Sequence, residues 1–344
     1  MGDRTDQRFE GLLADAVRSP TALSPGTRLS GGRYVIRRLL GTGGMGVACE
    51  ATDTSRNASV VIKTLTQVTG AAIYQLKREF RTLAGLVHPN LVGLYELTCD
   101  GDVWFITMDY VPGSTLLQYA RRHRDWTVLQ SVFVDLATAI GAIHDAGLLH
   151  RDLKPSNVMV TPEGQVVILD FGLACQATDG DAEVTQVGSV SGTPLYMAPE
   201  QAAGEPINRA SDWYAYGAML FEALCGRPPF DGDRQEVMAA KQSQPAPRPV
   251  DGLTGVPEEV RHLCEQLLSR DPQRRAGHPE VSAVLPEPAR GRERHLTGSG
   301  SGVFVGRSRE LDGLRAALEQ TNASHPVAAL IHGVSGIGKT ALER

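Results

Sequence analysis

The hydrophobic period of this chain changes once, around "VPGS" at residues 111–114, and that change limits the folds open to it. Before it lie short strand-like runs, "RYVIRRLL", "VACEAT", "ASVVIKTL", "NLVGLYEL" and "VWFITMDY". They are separated by Gly, Asp and Asn turns, and "DGD" at 100–102 is a hairpin signal. One helical stretch interrupts them. Ile73, Leu76, Phe80, Leu83 and Leu86 recur at helical spacing over 73–86. His88-Pro89 closes that stretch, because the residue before a proline avoids the helical region. After the change, residues 115–147 read as mostly helical. "VLQSVFVDLATAIGAIHDAG" is apolar over much of its surface, which predicts a helix buried in a larger lobe. Gly147 is its expected C-terminal stop. The strands "VMV" and "QVVILD" follow around the turn "TPEG", and helical patterns return at 211–225 and 257–269. The expected fold is α+β and bilobal, a small β-rich N-lobe before a larger helical C-lobe, with a cleft between.

With 344 residues, 42% of them hydrophobic, the chain has enough apolar side chain for a sizeable core. Its formal net charge of −5 gives no global basic field, so no nucleic-acid partner is expected. Cys49, Cys99, Cys175, Cys225 and Cys264 are dispersed and include no Cys-x-x-Cys pair. That argues against a disulfide framework or a zinc site and for small buried side chains in a reducing compartment. No apolar run is expected to approach the ~18 residues of a membrane span. The start, "MGDRTDQRFEGLL", is charged and lacks a signal-peptide core, so a cytoplasmic location is expected. Residues 1–32 read as a polar tail and 33–285 as the principal domain. "PEPARGRERHLTGSGSG" over 286–302 reads as a flexible linker, and a second element begins at 303.

Several constellations carry chemistry. "LLGTGGMGVACEA" places Leu40, Gly41, Thr42, Gly43, Gly44, Met45 and Gly46 at the junction of two strand-like runs. In a dinucleotide fold such glycines open a helix; here a β-branched run follows, so a hairpin is expected. Glycines at its tip let backbone N–H groups approach phosphate oxygens, although an ordinary turn explains them as well. Lys63 ends "SVVIK" and fits either a strand-end lysine reaching solvent or an ammonium matched by Glu79 on the following helix. "HRDLKPSN" at 150–157 sets Asp152, Lys154 and Asn157 in one short polar run. A carboxylate there can take a proton from a hydroxyl, an ammonium can neutralise a moving phosphoryl group, and an amide oxygen suits Mg²⁺. "LDFG" adds Asp170, and Mg²⁺ takes one or two protein oxygens beside phosphates and water.

In the order "GTGGMG", "VVIK", Glu79, "HRDLKPSN", "DFG", "APE" and "SDWYAYG", the sequence resembles a eukaryotic-type protein kinase over about 33–285. The resemblance implies ATP and Mg²⁺ as cofactors and protein Ser/Thr hydroxyls as acceptors. Lys63 would hold the α- and β-phosphates and pair with Glu79; Asp152 would orient and deprotonate the acceptor, with Lys154 beside it. Asn157 and Asp170 would hold Mg²⁺. Met108 resembles the gatekeeper before a hinge of Asp109, Tyr110 and Val111. Asp212 resembles the aspartate that braces the catalytic loop, and Glu200 is expected to pair with Arg275. Lys154 and "SGTPLYMAPE" favour Ser/Thr over Tyr acceptors, with Thr193 shaping the substrate site. Thr178, Thr185, Ser189 and Ser191 are candidate phosphorylation sites, with Arg151 as partner of the phosphate and dimerisation as the route to trans-autophosphorylation. A pseudokinase, a nucleotide-sensing module without transfer, is the alternative.

Two positions depart from the family pattern. Ala48 stands where the family has Val, and Val61 stands where it has Ala; both side chains would cover the adenine. Neutral drift and a volume-conserving swap both account for this. Farther on, "PVAALIHGVSGIGKTALER" carries Gly333, Gly338, Lys339 and Thr340 in P-loop order after a strand-like run, and "VFVGRSRELDGL" resembles the entry of AAA-type signalling ATPases. The sequence ends four residues after Thr340, so residues 303–344 are expected to form a truncated P-loop segment that hydrolyses no ATP of its own.

Overall fold

The computed structural model describes residues 23–43, 46–65, 77, 80, 85–101, 103–169, 175–176, 194–249 and 252–286. The chain divides into two units, Met1–Ala289 and Arg290–Arg344. The second unit, with Gly333, Gly338, Lys339 and Thr340, lies outside the described residues, as do residues 1–22 and 287–302.

The N-lobe is one antiparallel sheet. It comprises β1 (Arg28–Leu29), β2 (Tyr34–Gly43), β3 (Gly46–Asp53), β4 (Ala58–Leu65), β5 (Leu94–Asp100) and β6 (Val103–Asp109), in the order β1-β2-β3-β4-β6-β5. Strand alternation splits it into two faces. Tyr34, Ile36, Cys49, Ala51, Ile62 and Phe105 pack a small core on one, where Tyr34 meets Phe105 edge-to-face at 6.0 Å. Val61, Ile106 and Met108 face the other way, toward the main core. β1 and buried Leu29 fall inside the stretch expected to be tail. A single leucine among Ser and Gly has no period, so only pairing with β2 identifies it. The helical stretch expected at 73–86 is described only at Lys77 and Phe80, both helical.

"NLVGLYEL" is not one strand. β5 begins at Leu94, while Leu91 bridges to Ile168: the Val92 amide donates to the Ile168 carbonyl at 2.9 Å, and the Ile168 amide to Asn90 at 2.9 Å. Asn90 Nδ2 reaches the Val166 carbonyl at 2.8 Å, so the segment belongs to the C-lobe before it enters the N-lobe sheet.

The C-lobe opens with β7 (Ser114–Thr115), α1 (Leu116–Arg122) and α2 (Trp126–Asp145). Gly113 at φ +141° precedes β7. A Cβ there would sit 2.1 Å from the Val160 carbonyl, which is why glycine is required. Asp125 caps α2 by accepting from the Thr127 amide, and Gly147 at φ +73° follows its end. By length and composition α2 is apolar enough to cross a membrane. The expectation that no apolar run approaches that length does not hold for α2, in which Asp135 is the one charged residue between Trp126 and His144. Trp126, Leu129, Phe133, Leu136 and Ile140 are buried inside the domain, as in the core helix of a folded lobe.

β8 (Leu148–Leu149), a 3-10 turn over Pro155–Asn157, β9 (Val158–Val160), β10 (Val166–Ile168) and β11 (Cys175–Gln176) follow. Then come α3 (Pro199–Ala203), α4 (Arg209–Cys225), α5 (Arg234–Ser243), α6 (Glu258–Leu267) and α7 (His278–Val284). α4 runs through the centre, with every residue from Ser211 to Leu224 buried. Helix α5 shows no apolar period. It is set by Asp233, which accepts from the Gln235 and Glu236 amides while Glu236 reaches back to the Asp233 amide. Cys49 and Cys264 are buried as expected, but Cys99 is exposed.

Glu200 pairs with Arg275, as the resemblance implied. Nη1 donates to Oε1 at 2.7 Å and Nη2 to Oε2 at 3.0 Å, with Ser211 Oγ adding a bond to Oε1. Burial pushes the Glu200 carboxyl up, but Arg275 outweighs it and holds the group below its ordinary 4.5. A depressed carboxylate contributes stability that is complete above its unfolded pKa and lost as pH falls through the folded one. Glu200→Gln should therefore cost about 3–5 kcal/mol near neutral pH, because it strands a buried guanidinium. The gap between parent and variant should start to narrow below about pH 4.5 and vanish only below the depressed folded pKa, which denaturant titrations at several pH values will measure.

Candidate functional site

The site is built around one buried carboxylate. Asp212 lies in the first turn of α4, where the helix dipole favours negative charge. Its Oδ2 accepts from His144 Nε2 at 2.8 Å and from the His150 amide at 2.9 Å; its Oδ1 accepts from the Arg151 amide at 2.9 Å. Burial pushes the carboxyl up, and the hydrogen bond to His144 together with the charge nearby outweighs this and holds it below the usual range. Arg151 has φ +67°, a conformation L-residues rarely adopt. Two amide bonds to one carboxylate, from that residue and from the one before it, hold the strained turn in place.

The turn presents the polar run. Lys154 Nζ lies 2.6 Å from Asp152 Oδ2, with both side chains about a quarter exposed. Asn157 ends the 3-10 turn, and its Nδ2 donates to the Asp152 carbonyl at 3.0 Å. That bond leaves Asn157 Oδ1 as the acceptor end of the amide; it takes only a long bond from Ser156 Oγ, at 3.4 Å, and keeps a lone pair for a cation, so the amide fits the Mg²⁺ expectation. The Leu169 amide donates to the Asn157 carbonyl at 2.8 Å, tying the strand that leads to Asp170 to the same turn. Asp170 itself lies outside the described residues, as do Glu79, Gly44, Met45, Thr178, Thr185, Ser189, Ser191 and Thr193. Among the described residues no cluster of three His, Cys, Asp or Glu side chains forms a metal site.

The opposite wall is the sheet. β2 and β3 pair out to Gly43 and Gly46, so the glycines do cap a hairpin. Leu40, Gly41 and Thr42 are exposed near its tip. Ala48 is directly opposite Lys63, and Lys63 is opposite Ile106; Val61 is opposite Met108. Ala48, Val61, Lys63 and Met108 therefore share one sheet face. Asp109 ends β6. Its carboxylate turns back to the Gly93 amide at 2.9 Å and to the Tyr95 hydroxyl, holding the start of the 109–111 segment against β5. Tyr110 Oη accepts from Arg38 Nη2 at 3.0 Å, and Val111 packs on the main core.

Sequence reasoning missed four contributors. His144 supports Asp212, and Gln201 Nε2 donates to the Arg151 carbonyl at 3.0 Å. Tyr196 donates to Glu222 at 2.7 Å, and Lys241 grips the turn before α3. Tyr196 lies inside "SGTPLYMAPE" but has no role of its own there, and His144, Gln201 and Lys241 belong to no spaced motif. The only signal was polarity at positions where a helix or turn meets the core.

A family model for the protein kinase domain matches residues 34–284, and one for an AAA ATPase domain matches 303–344. The chain is 37% identical over 273 residues to "Serine/threonine-protein kinase PknA" of Mycobacterium tuberculosis, covering 75% of this chain and 62% of that protein. It is 35% identical over 267 residues to "Probable serine/threonine-protein kinase PknB" of Bifidobacterium longum, covering 72% and 38%. It is 34% identical over 253 residues to "Serine/threonine-protein kinase PrkC" of Bacillus subtilis, covering 72% and 39%. The chain thus spans between 38% and 62% of the length of these relatives.

Ala48 and Val61 are diagonal neighbours on the shared face, since Ala48 pairs with Lys63 and Glu50 with Val61. Diagonal positions lie about 7–8 Å apart, too far for two short side chains to touch. Any coupling must then run through a ring that both cover. Ala48→Val and Val61→Ala should each weaken ATP binding, the first by roughly 1–3 kcal/mol, and the double variant should recover most of the loss. A double-mutant cycle should give more than about 0.5 kcal/mol of coupling in ATP affinity and near zero in the stability of the unliganded protein. Coupling below that in both measurements leaves drift as the explanation.

Proposed function

Because the chain belongs to the protein kinase family, as the match over residues 34–284 shows, we propose that it transfers the terminal phosphoryl group of ATP to Ser and Thr hydroxyls of proteins. One observation carries the reading: Asp152, Lys154 and Asn157 share a single hydrogen-bonded turn, held by Asp212 through the strained Arg151. Phosphoryl transfer asks a protein for positioning and charge far more than for covalent chemistry, and this turn supplies both.

Asp152 accepts the proton of the incoming hydroxyl, and Lys154 holds charge beside it. Lys63 holds phosphate oxygens from the facing sheet, with Glu79 as its partner. The Gly41–Gly46 hairpin covers the phosphates, and the backbone of Asp109, Tyr110 and Val111 meets the adenine past Met108. Asn157 and Asp170 hold Mg²⁺, which when bound neutralises charge on the phosphate oxygens. The presence of Lys63, Asp152, Asn157 and Asp170 together weighs against a non-catalytic nucleotide sensor. Residues 303–344 we take as the start of a P-loop ATPase domain, with Gly333, Gly338, Lys339 and Thr340 as its phosphate loop. The dispersed cysteines and the need for ATP support a cytoplasmic site of action.

Asp152→Asn should lower kcat by at least ~10² with ATP affinity nearly unchanged, whereas Asp170→Asn should raise the Mg²⁺ concentration needed for nucleotide binding. Steady-state kinetics and Mg²⁺ titrations separate the two. Asp152→Asn activity within a few-fold of the parent would refute the assignment.

Arg151 Nε is buried without a hydrogen-bond partner among the described residues, which suits a group that pairs with an incoming phosphate. Dimerisation gives the phosphorylated segment access to a second active site. Mass spectrometry after incubation with ATP should locate autophosphorylation between Thr178 and Ser191, at Thr185 or Ser189 first. Phosphates found only outside that segment would count against this route of activation.

A further inference from the structure

Lys241 is a buried ammonium that the transfer chemistry does not use. It sits on α5, a helix with only one other buried side chain, Val237, and is itself 1% exposed. Its Nζ donates to three backbone carbonyls, Pro194 at 2.7 Å, Leu195 at 2.8 Å and Met197 at 2.6 Å. An ammonium has three donors, and all are spent on one turn of chain. The Tyr214 ring lies 5.1 Å away, and the same ring lies 5.1 Å from the Arg275 guanidinium of the Glu200 pair. Burial pushes the Lys241 pKa down to about 7, while the three carbonyls require the protonated form.

The gripped turn borders the catalytic loop. Tyr196, Met197 and Gln201 line a small cavity together with Arg151, Asp152 and Asp212. Tyr196 is anchored by Glu222 on α4, and Gln201 bonds the Arg151 carbonyl. With three carbonyls turned inward onto Lys241, Leu195 packs on the main core and the part-buried Met197 is the apolar side chain that the turn offers in the cavity beside Asp152. Without the ammonium, three buried carbonyls would lose their partners, and the turn would rearrange to satisfy them.

We infer that Lys241 is a positioning residue for the acceptor peptide: it fixes the backbone of 194–197 as the surface on which the chain flanking the acceptor hydroxyl lies. The inference rests on the kinase reading above, and it places substrate recognition partly on a lysine of α5 that touches neither ATP nor the reacting atoms.

Lys241→Met keeps the shape and removes the donors; Lys241→Gln keeps one amide group that reaches at most two carbonyls. Each variant is compared with the parent by kinetics on a Ser/Thr peptide and by hydrogen exchange of the amides at 195–201. The methionine variant should raise the peptide KM by about tenfold or more, with the KM for ATP within about two-fold of the parent. Exchange at 195–201 should quicken while the N-lobe sheet keeps its protection. The glutamine variant should fall between, and it carries the test if the methionine variant does not fold. An unchanged peptide KM with unchanged exchange overturns the inference, and so does an equal rise in both KM values. If the parent phosphorylates no Ser/Thr peptide, the kinase reading fails while the exchange data still decide whether Lys241 holds the turn.

Discussion

The carboxylate of Asp212 is the interaction on which the rest of the site depends. It is buried at the start of α4, a helix enclosed on all sides, so its position is set by the packing of the whole C-lobe. Through the His150 and Arg151 amides it holds a turn that a non-glycine residue enters only under strain. Asp152, Lys154 and Asn157 then follow, tied to one another by the Lys154–Asp152 pair and the Asn157 bond to the Asp152 carbonyl. A loop of this polarity would otherwise sample many conformations in water. One desolvated acceptor with three donors removes that freedom.

Glu200–Arg275 and Lys241 repeat the device. In each, an ion taken out of water is matched by nearly all the hydrogen bonds it can form. Desolvation makes such groups weak sources of net stability, and an apolar replacement of the same shape is often tolerated for folding. What they provide is direction. A hydrophobic contact leaves a loop free to slide, whereas an ammonium on three carbonyls permits one arrangement. Asp212, Glu200, Arg275 and Lys241 all lie in the C-lobe, and Asp212 and Lys241 act on the two turns that border Asp152.

The N-lobe is held differently. Its sheet has an apolar face that closes on itself and a face that carries Ala48, Val61 and Lys63 beside Ile106 and Met108. The 89–92 segment belongs by hydrogen bonding to β10 of the C-lobe, while the chain beyond it joins the sheet. The two lobes are thus linked by backbone pairing at 89–92 as well as by the chain passing through 109–113.

The sequence by itself determined the change from a strand-rich half to a helical half, the hairpin at the glycines, the long core helix and the residues of the polar run, because each has a local period, a turn signal or a motif of fixed spacing. It also identified Asp212 and the Glu200–Arg275 pair through family resemblance. Tertiary structure alone decided the rest. Leu29 became a strand residue by pairing with β2, and "NLVGLYEL" was divided between two lobes because Asn90 and Leu91 found partners on β10. Helix α5 has no apolar stripe, so its Lys241 reads in sequence as one more solvated charge. Its burial follows from three carbonyls, more than forty residues away in the chain, that converge on it only when α5 packs beneath the turn. Period and motif are local properties; the satisfaction of a buried charge depends on groups distant in sequence, and only the folded chain brings them together.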